Sequence, residues 1–170
     1  MVVKVTKHAR RRANERLDVT HKAETTKLFK RALKYGHPLV DFAGEFGEYL
    51  KAKKKNNFGV KVYNDNIFIY KNKTMITVFP VPEKYLPIKE YYTDYIKNNP
   101  LLMRLYEVVD KNDVLLEVII KDKNNTVSGL TINDIFENFG IGKTEIKSKN
   151  NAIRAYLKRI GELKEEDDDE

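Results

Sequence analysis

Three short apolar segments joined by two turn-prone tripeptides constrain the fold of this chain more than any other feature. Phe58–Tyr63 alternates, with Val60 and Val62 opposite Lys61 and Tyr63, while Ile67–Tyr70 and Met75–Phe79 are β-branched and aromatic. Such residues suit a pleated, buried surface. The connections Asn64-Asp65-Asn66 and Lys71-Asn72-Lys73 leave room only for tight turns, so the segments predict an antiparallel meander. Pro80, Pro82 and Pro87 end it, because proline cannot donate to a ladder. A weaker alternation over Glu48–Lys54 predicts a fourth strand ahead of the three.

Two helices precede these strands. Thr6 is placed to cap a helix from about Lys7 to Leu17, whose apolar stripe is Ala9, Ala13 and Leu17. Thr20 is placed to cap a second over about 21–35. There Leu28, Phe29, Ala32 and Leu33 face inward and Lys27, Lys30, Arg31 and Lys34 outward, before Gly36 and Pro38 stop it. Two N-terminal helices on a four-stranded antiparallel sheet make an α+β domain over residues 1–88.

Beyond it, residues 83–99 are rich in tyrosine, and 89–100 reads as a connector. Tyr85, Tyr91, Tyr92 and Tyr95 are expected to pack back on the sheet. Pro100 after Asn99 announces a helix with Leu101, Leu102, Leu105, Val108 and Val109 on its buried face. Val114–Ile120 is apolar throughout, and periodicity leaves strand and helix equally open. Thr131 is placed to cap a helix over Ile132–Phe139. Gly140-Ile141-Gly142 then reads as a turn, and a helical pattern resumes at Lys143 with Ile146, Ile153, Tyr156, Leu157 and Ile160. Residues 101–164 thus predict a mainly helical module with the outline of a helix-turn-helix, although Phe136 is bulky where the two helices would cross. The acidic tail, 165–170, is expected to be disordered.

Composition narrows the chemistry. The chain has no cysteine, which excludes disulfides, thiolate metal sites and cysteine nucleophiles. Three histidines, His8, His21 and His37, are too few for a histidine-rich metal site, so neither metal nor cofactor is expected. The N-terminus is charged too early for a signal peptide, and no apolar run approaches a membrane span, so a cytoplasmic protein with no membrane contact is the default. Charge is unevenly spread. Residues 1–61 hold 16 Lys+Arg against 6 Asp+Glu, and 62–170 hold 16 against 19. A basic N-terminal half attracts polyanions.

On the first helix His8, Arg12 and Arg16 recur every four residues and share one face. Metal-free RNA cleavage needs a proton-transferring group and positive charge around a crowded phosphate. His8 supplies the first, and Arg12 and Arg16 suit bidentate phosphate contacts. Arg11, Lys51 and Lys53 offer further charge, and Thr77, Tyr63 and Tyr70 offer hydroxyl donors from the sheet.

These residues carry a resemblance. Lys7-His8-Ala9 with Arg12 and Arg16, closed by Ile76-Thr77-Val78-Phe79-Pro80, resembles the RelE/barnase-like superfamily, which includes toxin and colicin-type endoribonucleases and small phage proteins. The resemblance covers residues 7–82. It implies cleavage of single-stranded RNA or tRNA at a cleft holding His8, Arg12, Arg16 and Thr77, and an active toxin of this kind would need a neutralising protein partner. The alternative is a non-catalytic regulator that binds DNA through residues 131–160, with Lys143, Lys147 and Arg154 on phosphates, or binds a host protein. The same C-terminal helices also suit packing or dimerisation.

Overall fold

In the computed structural model Met1–Lys97 and Asn98–Glu170 form separate units, and the structure describes residues 1–109 and 113–164. The first unit runs β1 (Lys4–Val5), α1 (Lys7–Leu17), α2 (Lys22–Tyr35), β2 (His37–Pro38), α3 (Gly44–Lys53), β3 (Gly59–Tyr63), β4 (Asn66–Lys71), β5 (Thr74–Pro80) and α4 (Asp94–Lys97). Single 3₁₀ turns lie at Leu39–Asp41, Glu83–Tyr85 and Ile88–Tyr91. The sheet order is β1-β5-β4-β3-β2. Both meander turns place two residues at positive φ, Asn64 and Asp65 (47° and 56°), then Asn72 and Lys73 (48° and 60°). Turns of this hand match the twist of the flanking strands.

The sheet is five-stranded and mixed, which corrects the expected four-stranded antiparallel arrangement. β1 pairs parallel with β5, and β2 pairs antiparallel with β3. The expected strand over Glu48–Lys54 is the second half of α3. Phe46 and Leu50, four residues apart, are both fully buried, which is a helical rather than an alternating spacing. Three helices therefore precede the meander in place of two.

One face of the sheet carries Tyr63 of β3 with Phe68 and Tyr70 of β4. Phe29 of α2 meets the Tyr70 ring at 6.1 Å, and the Arg31 Nε donates to the Tyr63 hydroxyl at 3.0 Å, so α2 lies on this face. The opposite face carries the buried Val60, Val62, Ile67 and Ile69. Beyond the meander, Tyr85, Ile88, Tyr92 and Ile96 are buried, Tyr91 is half-buried and Tyr95 is exposed.

The second unit corrects the expected mainly helical module. It contains α5 (Pro100–Val108), β6 (Val114–Lys121), β7 (Thr126–Ile132), β8 (Ile135–Gly142) and α6 (Glu145–Arg159), with a three-stranded antiparallel sheet in the order β6-β7-β8. Val114–Ile120, left open between helix and strand, is strand. The expected helix over Ile132–Phe139 is instead a hairpin. Asn133 and Asp134 sit at positive φ (51° and 67°), and Ile132 pairs with Ile135 across them. Glu137 is an extra residue in β8, so Phe136 and Phe139 reach the same face three residues apart and mimic a helical spacing. The described residues of this unit form no helix-turn-helix.

Gly140 and Gly142 are strand positions rather than a turn. A Cβ on Gly140 would lie 2.2 Å from the Ala152 nitrogen and 2.3 Å from the Ser148 oxygen, so the glycine lets α6 rest directly on β8. The Thr144 hydroxyl caps α6 by accepting from the Lys147 N–H, and Ser148, Ala152, Ile153 and Leu157 form its buried face. Ile146 and Ile160, expected inside, are exposed. The disorder expected of the tail falls on 165–170, outside the described residues.

Candidate nucleic-acid interface

Thr6 starts α1 by accepting from the Ala9 N–H at 3.0 Å. Ala9 and Ala13 are fully buried, and their small side chains bring the helix close to β5. The Thr6 N–H donates to the Met75 carbonyl, so α1 begins where the parallel β1–β5 pairing stops. Helical spacing then sets His8, Arg12 and Arg16 along one flank of the buried alanine stripe.

The structure gives each nominated residue a distinct situation. His8 is exposed in the first turn. Arg12 is half-buried, and its Nη1 donates to Glu15 Oε2 at 2.8 Å, while its Nε is buried without a hydrogen-bond partner. Arg11, on the outer surface, meets the other Glu15 oxygen at 3.3 Å. Glu15 therefore holds two guanidinium groups. Arg16 donates to the Val78 carbonyl at 2.9 Å and stands 6.0 Å over the Phe79 ring. The first contact serves a β5 carbonyl beyond the stretch that β1 reaches, since β1 pairs only with Thr74 and Met75. The second fixes the side of the sheet. Thr77 and Phe79 are two residues apart on one strand face, so Arg16 lies on the side that carries Thr77. Thr77 is half-buried.

The remaining candidates disperse. Lys51 and Lys53 end α3, where Lys51 donates to Glu48 at 2.6 Å and Lys53 stands 5.2 Å from the Tyr49 ring. Lys51 also lines an open depression of about 520 Å³ with Leu39, Lys54, Lys55, Asn56 and Asn57. Tyr63 is buried and accepts from Arg31. Tyr70 is half-buried against Phe29, and burial raises its hydroxyl pKa. Both hydroxyls thus serve the α2 side of the sheet, away from the face of Thr77. Lys143 and Lys147 are exposed around the start of α6, and Arg154 is half-buried on the same helix. No recognition helix presents them.

A second histidine cluster escaped the sequence. His37, 4% exposed, stands with Nδ1 at 3.1 Å from Asp41 Oδ2 and Nε2 at 3.2 Å from the Tyr92 hydroxyl. Burial first, then the nearby Asp41 carboxylate, holds the Tyr92 hydroxyl far above the ordinary tyrosine range. The Lys61 ammonium donates to the Gly36 carbonyl at 3.1 Å, and its pKa is lowered by burial against an opposing pull from Asp41. Phe42 packs on both rings at 5.9 and 5.7 Å. Enclosed in this way, the cluster braces the segment around Tyr92 to β2. Only the His37–Asp41 spacing of four was visible locally, because Tyr92 is 55 residues from His37.

Among the described residues no group of three or more His, Asp or Glu converges as a metal site would, and no helix is long and apolar enough to cross a membrane. The two units differ in charge. Residues 1–97 hold 21 Lys+Arg against 10 Asp+Glu, and 98–170 hold 11 against 15. Comparison with protein-family models, with curated proteins and with solved structures finds no match.

Proposed function

We propose that the first unit binds RNA along α1 and β5 and acts as a metal-independent endoribonuclease-like protein, in keeping with the RelE/barnase-like resemblance of residues 7–82. The observation that carries this reading is Arg16 over Phe79, because it puts the flank of His8, Arg12 and Arg16 on the side of β5 that bears Thr77. A charge of +11 on this unit supports a polyanionic partner. Arg12, whose side chain is about a third exposed, suits an incoming phosphate. The half-exposed Phe79 ring offers a surface on which a base stacks.

In this reading the RNA 2′-oxygen bonds to phosphorus as the bond to the 5′-oxygen breaks. His8 takes the 2′-hydroxyl proton, water supplies one to the departing 5′-oxygen, Arg12 neutralises the phosphate, and Thr77 donates a hydrogen bond. Arg16 is already committed to Val78, so its role is to position α1 on β5 rather than to grip the phosphate bidentately.

Binding without cleavage is the second reading. It is favoured by the engagement of both Arg12 and Arg16 within the protein. Incubating the full chain with tRNA and total RNA in EDTA, wild type beside His8→Ala, separates the two. Discrete cuts that disappear in the mutant support the enzyme. Intact RNA that is retained in a salt-sensitive complex supports the binder, and neither cutting nor binding refutes both.

A further inference from the structure

The sheet of the second unit has one covered face and one bare face. Ser128, Leu130, Asn138 and Gly140 point toward α6, as the Ser128–Ser148 hydroxyl contact at 2.6 Å and the Asn138 bond to the Ala152 carbonyl at 2.9 Å establish. Strand alternation therefore turns Val127, Gly129 and Thr131 the other way. Register brings Ile120 and Ile141 beside Val127, Phe139 beside Gly129, and Phe136 beside Thr131. Ile119, an extra residue in β6, joins this face, because a Cβ on Gly129 would lie 2.6 Å from its Cδ1 and 3.2 Å from the Phe136 ring.

The bare face is apolar and open. Ile119 is 56% exposed, Ile120 56%, Phe136 56%, Phe139 57% and Ile141 52%. Glu117 opposite Gly129 is the one charged residue that the register adds to it. Five large side chains at this exposure present roughly 500 Å² of contiguous apolar surface, toward the upper end of what a monomer leaves in water. With the partly exposed Leu115, Val127 and Thr131 around them, the area approaches the roughly 800 Å² per partner of a standard stable interface.

We propose that this face of β6–β7–β8 packs against the same face of a second copy of the chain. Three features favour a second copy. The surface is nearly uncharged, so no charged partner is selected by it. Ile119 and Phe136 fill the space over Gly129, which leaves no central groove there for a helix. Apolar sheet faces pack on one another about 10 Å apart. A two-fold axis along β7 also sets β6 of one copy over β8 of the other, so Glu117 avoids its own twin and stays at the wet rim.

The test is light scattering on the full chain over a dilution series, wild type beside Phe139→Glu and Ile141→Lys. Both substituted residues are more than half exposed, so both variants should keep the wild-type circular dichroism and melting profile. The expected result is a wild-type mass of twice the 19.9 kDa chain, and a single-chain mass for either folded variant. A wild-type protein that stays at single-chain mass throughout the series overturns the proposal. A dimer that survives both substitutions overturns it equally, because that dimer would use another surface.

Discussion

Glu15 is the residue through which the proposed RNA-binding surface is most sharply tested. It holds Arg11 at 3.3 Å and Arg12 at 2.8 Å, with side-chain exposures of 45% for the glutamate and 64% and 32% for the arginines. Ion pairs this exposed contribute about 0–1 kcal/mol each, so Glu15→Gln, which removes two, should lower stability by no more than about 2 kcal/mol. The effect on RNA should be larger and opposite. The substitution removes a carboxylate that competes with phosphate and releases two guanidinium groups. If each then meets a phosphate, the plot of log affinity against log salt steepens by about 0.7 per contact on a single strand, or about 1.4 in all. The assay is fluorescence anisotropy of a labelled, 2′-O-methylated RNA titrated at several salt concentrations, with urea melts in parallel. Tighter binding at low salt with a steeper slope is expected. Unchanged affinity and slope in a folded Glu15→Gln protein would mean that this flank of α1 does not meet phosphate.

Two further predictions concern the frame. Gly140→Ala puts a methyl group 2.2 Å from the Ala152 nitrogen, so α6 must shift, at a cost of about 1–3 kcal/mol in a urea melt; a neutral substitution would contradict the close approach of α6 to β8. Tyr92 predicts an alkaline limb. Its folded pKa is raised by burial, so its stabilisation is complete below about pH 10 and is lost as the unfolded chain ionises above that. Tyr92→Phe should reduce the fall in stability by up to about 1.4 kcal/mol per pH unit in that window, and an unaltered alkaline slope would contradict the buried assignment.

The elements that announced themselves in the sequence are those whose signals are local. The turns after Tyr63 and Lys71 carry Asn and Asp where positive φ is needed, and Thr6 and Asn99 cap as their positions suggest. What stayed hidden has physical causes. β1 and β2 have two residues each, too few to show any period, and exist only through their partners β5 and β3. α3 was masked because the charges around Tyr49 and Leu50 imitate alternation. β8 was masked by Glu137, whose insertion breaks the period of two just where Phe136 and Phe139 take a helical spacing. Of the nominated site, the flank His8-Arg12-Arg16 was readable from helical periodicity alone. The commitment of Arg16 to Val78 was not, because it depends on which β5 carbonyls a two-residue strand leaves unpaired. Likewise Tyr63 and Tyr70 could be placed on strands but not on a face until α2 was seen to cover them.

The most direct test of the central claim is where RNA touches the protein. Photo-crosslinking the full chain to a 4-thiouridine-substituted, 2′-O-methylated RNA, followed by peptide mapping, gives the answer. Crosslinks concentrated in Lys7–Leu17 and Thr74–Pro80, with Phe79 foremost, are the predicted result. Crosslinks confined to other segments, or none under conditions in which RNA is bound, would contradict an interface built on α1 and β5.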